Sequence, residues 1–389
     1  MNVQEILREL VAIPTPPAIS NLPLLDWVEL FVEARGWRAE RFPYKDEEGV
    51  AKANLIARPA NAERSESGLG GPIDFAFVCH TDTAQFSLGW VEALELNLGK
   101  DRSSLSGSGA CDGKGALACF LAALDGLAAD TVGSGVALIL TADKHLDCKG
   151  MERLLTAADL RIRSAIVSEP TSLRPAIAGK GYGLARVIVR GIEAHSAYPL
   201  EGLSAIALAA RFITLIENMG PRSSAATEES ARAVEALFFP RCASLNVSMI
   251  QGGSAENRIA GSCSFLVEWR PLPADRPSDV LYELEWLADG LRTDEPRARI
   301  RVESLKEQGG FASTGTRALQ QRLEQILETP RAPIGICFDS EASRVARIAD
   351  EVIAMGPGDM HVVREDSECV PLKELQEWTE TLRELLVAV

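Results

Sequence analysis

The chain has 389 residues, 46% of them hydrophobic and 24% charged, with a net charge of −15 and a pI of about 4.9. That length exceeds one ordinary core and predicts two domains, one inserted in the other. So acidic a surface repels nucleic acid and anionic membranes, which argues against both as partners, and no apolar stretch is long enough to cross a bilayer.

The N-terminal stretch MNVQEILRELVAIPTPP reads as an amphipathic helix ended by prolines, without the basic start or apolar run of a signal peptide. Helical periodicity covers 3–12 and 23–36. A strand is predicted at 53–59, then a polar Gly/Ser loop at 60–71. IDFAFVCH (73–80) is a nearly continuous apolar run, the mark of a buried parallel strand. A helix at 113–129, a strand at 135–142 and a strand at 164–170 follow. Strand, helix, strand, helix, strand predicts an α/β domain with a mainly parallel sheet. Sites in such sheets lie at the carboxyl ends of the strands, where His80, Asp143 and Glu169 fall.

From about 180 the pattern changes. Strands at 183–192, 242–253 and 261–271, with helices at 204–219 and 277–292, predict a smaller α+β unit with an antiparallel sheet. The segments IGICFDSEA and EVIAMGPGD return to the character of the first domain, and a helix at 372–387 closes the chain. The expected division is a catalytic domain of 1–179 and 291–389 and an inserted lid or dimerisation domain of 180–290. GKGYG (179–183) reads as the hinge between them. Eight cysteines without a CxxC pair read as reduced thiols of a cytoplasmic protein.

Four histidines occur: His80, His145, His195 and His361. His80 opens HTDT, and Asp82 is placed to accept the other ring N–H of His80 and fix its tautomer. Asp112 lies in the Gly-rich turn SGACDGKGA; it reads either as a metal-bridging carboxylate or as a helix cap. Glu169 ends an apolar strand, a costly place for a carboxylate unless it is paired or binds metal. One histidine and two carboxylates make a zinc site with an open fourth position. His361, Cys111 and Cys148 take structural readings.

Taken in order, FVCHTDT, SGACDGKGA, TADKHLDCKG, VSEPT, EAHSAYPLEGLSAI, GGSAENRIAGSCSFLVEWRPLP and GPGDMHVVREDSE resemble the motifs of the acetylornithine deacetylase and succinyl-diaminopimelate desuccinylase family of co-catalytic zinc peptidases and deacylases. The likeness spans essentially the whole chain. It implies a zinc-aminopeptidase-like catalytic domain with an inserted lid and dimerisation domain. It also implies a homodimer, zinc or cobalt as cofactor, and removal of an acyl group from a small N-acyl amino acid such as N-acetylornithine in arginine biosynthesis. It gives His80, Asp112 and Glu169 to the first metal, with Asp112 bridging to a second. Asp82 becomes the acid behind the histidine, and His195 the lid residue that stabilises the oxyanion in the partner's site. Asn257 and Arg258 become substrate-holding residues.

The chain departs from the family at three places. Lys144 and His145 stand where the family has two glutamates, the general base and a second-metal ligand. Arg364 stands where the family has its last histidine ligand. Three readings follow. Lys144 with a depressed pKa, or His145, serves as a substitute base, and His145 still ligates a metal. Alternatively, Lys144 and Arg364 bind an anionic substrate group where a metal stood. In the third, the protein keeps the fold and binds an amino-acid-like ligand with little turnover.

Overall fold

The computed structural model describes residues 1–62, 72–84, 91–99, 102–128, 130–220, 229–313, 315, 317–327, 329–363 and 368–387. The chain forms two units. One holds Met1–Ile177, Ser313–Ile334 and Ser340–Val389; the other holds Ala178–Ala312 and Gly335–Asp339.

The first unit is built on a mainly parallel sheet. The strand Ile73–His80 runs parallel to Val136–Thr141 on one side and to Ile162–Val167 on the other. Ile162–Val167 is in turn parallel to Ala349–Ala354. Two antiparallel strands, Trp37–Lys45 and Ala51–Pro59, extend the sheet beyond Val136–Thr141. The strands from Ile73 and Val136 are buried over nearly every residue, and that from Ile162 at its start and over its last three residues, because helices cover a parallel sheet on its faces. The helix Lys114–Asp125 is buried at every position but its last, so its apolar sequence runs all the way round. It shares one core with Val3–Ala12 and Leu372–Val387. Truncating a fully buried residue there, such as Leu117, would cost about 2–5 kcal/mol. Because these strands are parallel, their carboxyl ends share one edge of the sheet, and His80 is the last residue of its strand.

The second unit is a four-stranded antiparallel sheet in the order Ser244–Gly252, Ser262–Arg270, Tyr182–Arg190, Arg299–Gln308. Ser262–Arg270 alternates buried and half-buried residues, so one face meets the core. The helices Ala205–Asn218 and Ser278–Asp294 supply the other half of that core.

Two expectations need correction. The boundary expected at 290/291 falls at 312/313, because RIRVESLKEQ (299–308) is a fourth strand, paired along the whole of Tyr182–Arg190. Its charged residues hid it from a search for apolar runs. The strand Trp37–Lys45 was also not expected; WRAERFPYK is polar and partly exposed, as an edge strand tolerates. All eight cysteines are free thiols.

Candidate active site

His80, Asp112, Lys144, His145 and Glu169 come together at the carboxyl ends of the central strands. His80 Nδ1 donates to the backbone carbonyl of Asp82 at 2.8 Å, which fixes the ring's orientation and turns Nε2 to Asp112 Oδ1, also at 2.8 Å. The expected role of the Asp82 carboxylate is thereby corrected: it stands 3.9 Å from the ring. It accepts instead the backbone N–H groups of Lys144 (3.0 Å) and His145 (2.9 Å), one on each oxygen. Asp82 therefore holds the turn that carries the two departures.

Asp112 is not a helix cap. The cap position of Lys114–Asp125 is Gly113, and no side chain caps it. Gly113 has φ +98°, and a Cβ there would meet the His80 carbonyl at 3.0 Å, so only glycine lets the Asp112 turn approach the histidine. The turn is held by Glu368, whose carboxylate accepts the backbone N–H groups of Gly109, Cys111 and Asp112 at 3.2, 2.9 and 2.9 Å.

Lys144 fills the middle of the cluster. Its Nζ lies 3.2 Å from both oxygens of Asp112 and 3.2 Å from Glu169 Oε2. All three side chains are less than a tenth exposed. Burial pulls the Lys144 amine down, but Asp112 and Glu169 outweigh it and push the pKa above the ordinary lysine value. Asp112 feels the same burial, and Lys144 and His80 hold it well below the carboxylate range. The direction for Lys144 runs against its reading as a base of depressed pKa: two carboxylates at 3.2 Å favour its protonated form. Burial opposes a charge on His80, yet Asp112 raises its pKa to about 9.

His145 differs. Its Nε2 is buried without a hydrogen-bond partner, 3.8 Å from Asp112 Oδ2. Its ring meets that of His80 edge-on, centroids 5.5 Å apart. Burial, with Lys144 and His80 adding to it, lowers its pKa to about 4, so the imidazole is neutral at pH 7 with one nitrogen uncommitted. His80, Asp82 and His145 each offer a ligand atom, and these atoms lie within 4.8 Å of one another. A neutral, unpartnered imidazole beside a buried carboxylate is the donor set that a divalent cation takes.

Sequence reasoning gave no role to three supports, although it noted Asp143 at a strand end. Asp143, at φ +59°, is clamped by an ion pair with Lys52 and by the Tyr44 hydroxyl at 2.8 Å. Glu341 accepts from Thr141 Oγ1 at 2.9 Å, and burial pushes its carboxyl up to about 7. Glu368 was quoted within a motif but given no role. Asp143 and Glu341 follow or face strand ends, which was their one signal.

In the second unit, His195, Asn257 and Arg258 also meet. Ala194–His195 pairs with Arg258–Ile259, placing His195 opposite Arg258. Ser196 N–H donates to the Asn257 carbonyl at 3.0 Å, and Arg258 pairs with Glu193. All three residues are exposed. His361 is exposed and paired with Asp359 at 2.7 Å, as its structural reading expects. Arg364 lies outside the described residues.

Residues 177–290 match the peptidase dimerisation domain. The acetylornithine deacetylase of Myxococcus xanthus is 37% identical over 370 residues, covering 95% of this chain and 92% of its own. The chain belongs to the acetylornithine deacetylase family. With it, the chain is placed among the metal-dependent amidohydrolases. Two solved structures share the family fold at low identity. A tripeptidase of Staphylococcus aureus has a TM-score of 0.74 at 18% identity, covering 99% of this chain and 97% of its own. A dinuclear metal-binding M20-family peptidase of Bacillus subtilis has a TM-score of 0.68 at 12% identity, covering 99% and 96%.

Proposed function

We propose that this chain removes an acyl group, acetyl in the leading case, from a small N-acyl amino acid such as N-acetylornithine. The observation that carries the reading is the cluster of His80, Asp112, Glu169 and the unpartnered His145 at the strand ends, in a chain with a near-full-length deacetylase relative. Zinc or cobalt would be held by His80, Asp112 and His145, with Glu169 as a further carboxylate, and would supply Lewis-acid polarisation of the amide carbonyl.

The chain's own groups have distinct tasks. Lys144 stays protonated and holds the two carboxylates in place. The resemblance gives the developing oxyanion to His195 of the partner subunit in a homodimer and the substrate to Asn257 and Arg258; Arg364, which departs from the family's histidine ligand, would hold an anionic group of the substrate. The match to a dimerisation domain supports the homodimer. Free thiols throughout support a cytoplasmic setting.

A second reading is favoured by one observation. The position of the family's general base holds a lysine whose charge is fixed by two carboxylates. A general base is worth roughly 10²–10⁴-fold. On this reading the protein binds an anionic, amino-acid-like ligand with little turnover. Acetate release from N-acetylornithine and a panel of N-acyl amino acids by zinc- or cobalt-loaded protein separates the two. Chelator-sensitive turnover supports the hydrolase. Ligand binding by calorimetry without turnover supports the second reading.

A further inference from the structure

A short ribbon in the second unit carries Glu193, His195 and Arg258 on one side. Ala194–His195 pairs antiparallel with Arg258–Ile259, and His195 stands directly opposite Arg258. Opposite residues of paired strands share a face, and so do residues two apart along one strand. Glu193 falls on that same side, and its carboxylate takes the Nη1 end of the Arg258 guanidinium. The Nε–Nη2 edge of Arg258 has no partner among the described residues. Beside it, the Ala197 N–H donates to His195 Nδ1 at 3.1 Å, so the neutral ring carries its proton on Nε2. Two neighbouring residues thus present N–H donors on one side, and the guanidinium edge is the fork that a carboxylate fits.

The Glu193–Arg258 pair is not a stability device. The two side chains are 40% and 57% exposed, and pairs so open to water add little to folding. Yet Glu193 is closely fitted. A Cβ at Gly261 would meet the Glu193 Cβ at 3.1 Å, and the Gly191 N–H donates to the Gly261 carbonyl at 3.0 Å. The Ser196 N–H, bonded to the Asn257 carbonyl, ties the ribbon beyond His195. A fixed carboxylate at one end of the guanidinium leaves its other edge aimed.

We infer that Glu193 is a positioning residue: it holds Arg258 so that the open edge of the guanidinium meets the α-carboxylate of the amino-acid substrate. The inference rests on the deacylase reading above and deepens it by naming the group recognised and the residue that prepares its receptor. A side chain ordered before binding spares the ligand the cost of ordering it.

Steady-state kinetics on the zinc-loaded full chain would compare N-acetylornithine with its α-carboxamide, which has no carboxylate. Glu193→Ala should raise KM for N-acetylornithine about three- to ten-fold, the cost of ordering one long side chain, with kcat held within about two-fold. Glu193→Gln keeps an acceptor for Nη1 and should recover part of the loss. Neither substitution should change KM for the carboxamide, and neither should matter in an Arg258→Ala background. A lower KM in Glu193→Ala would show that the carboxylate blocks the arginine, and equal effects on both compounds would show a purely structural role; either overturns the inference. A second readout needs no ligand. In protein carrying isotope-labelled arginine, the Nε–H resonance of Arg258, assigned by its loss in Arg258→Lys, should exchange faster with water in Glu193→Ala. An unaltered resonance overturns the inference whatever the turnover. Wild-type protein that neither hydrolyses nor binds either compound defeats the deacylase reading instead, and the Arg258 resonance still decides whether Glu193 holds that side chain.

Discussion

The ammonium of Lys144 stands between the carboxylates of Asp112 and Glu169, 3.2 Å from the nearest oxygen of each. Removing one partner of a buried ion pair leaves an uncompensated charge and costs about 3–5 kcal/mol. Lys144→Met should therefore destabilise the metal-free protein by that amount in urea unfolding with chelator present. Adding Glu169→Gln to it should return part of the loss. A single variant as stable as the wild type would show that water or an ion reaches the carboxylates.

Asp143 should matter through the turn it holds. Asp143→Ala removes the close partner of Lys52, and although Asp46 remains 3.5 Å from that amine, a loss of about 3 kcal/mol is expected. Tyr44→Phe removes one hydrogen bond to the same carboxylate and should cost only about 1 kcal/mol. Chemical denaturation of both variants reads the difference; equal losses would mean that the hydroxyl, not the ion pair, secures the turn.

Glu368 should control metal affinity at a distance. It orients Asp112 through three backbone N–H groups and is not itself in the ligand cluster. Groups that orient a metal ligand are typically worth 10–100-fold in affinity. Glu368→Ala should weaken zinc binding by that factor in a competition titration with a chromophoric chelator. Glu368→Gln keeps one carbonyl acceptor and should fall between it and the wild type. Unchanged affinity in both would remove Glu368 from the site.

Lys114 makes a pH prediction. Its buried amine donates to the Ile13 carbonyl at 2.7 Å, and burial lowers its pKa to about 7, with Glu368 pulling the other way. The unfolded chain titrates near the ordinary 10.5. Between those values the unfolded state binds more protons, so this group's contribution to stability rises with pH from about 7 to 10.5. Lys114→Met should flatten that part of the profile and stabilise the protein most below pH 7, by a few kcal/mol in order of magnitude. An unaltered slope would show that the amine is solvated.

Much of the architecture was legible in the chain. Continuous apolar runs such as IDFAFVCH and GVALILTA become the central parallel strands, because a sheet covered on both faces buries both sides of its strands. Edge elements were harder. Trp37–Lys45 and Arg299–Gln308 are rich in charge, and pairing with a neighbour, not burial, makes them strands. At the site, residue types at strand ends pointed to His80, Asp112 and Glu169, and the departures at 144 and 145 could be read directly. The direction of the Asp82 carboxylate could not, because two hydrogen bonds from the next strand's loop compete with the ring for it.

The sequence by itself determined which chemical groups the site contains, since strand periodicity and turn glycines place His80, Asp112, Glu169, Lys144 and His145 at one end of one sheet. Only the tertiary structure decided what those groups are to each other. A lysine's pKa follows from its distance to charges far away in the chain: Lys144 meets Asp112 and Glu169 across 32 and 25 residues of sequence, and those contacts hold its proton. His145, one residue on, meets no partner at all at Nε2 and stays neutral. Neighbours in sequence thus acquire opposite characters, because electrostatic energy depends on separation in space and on burial, neither of which is written in residue order.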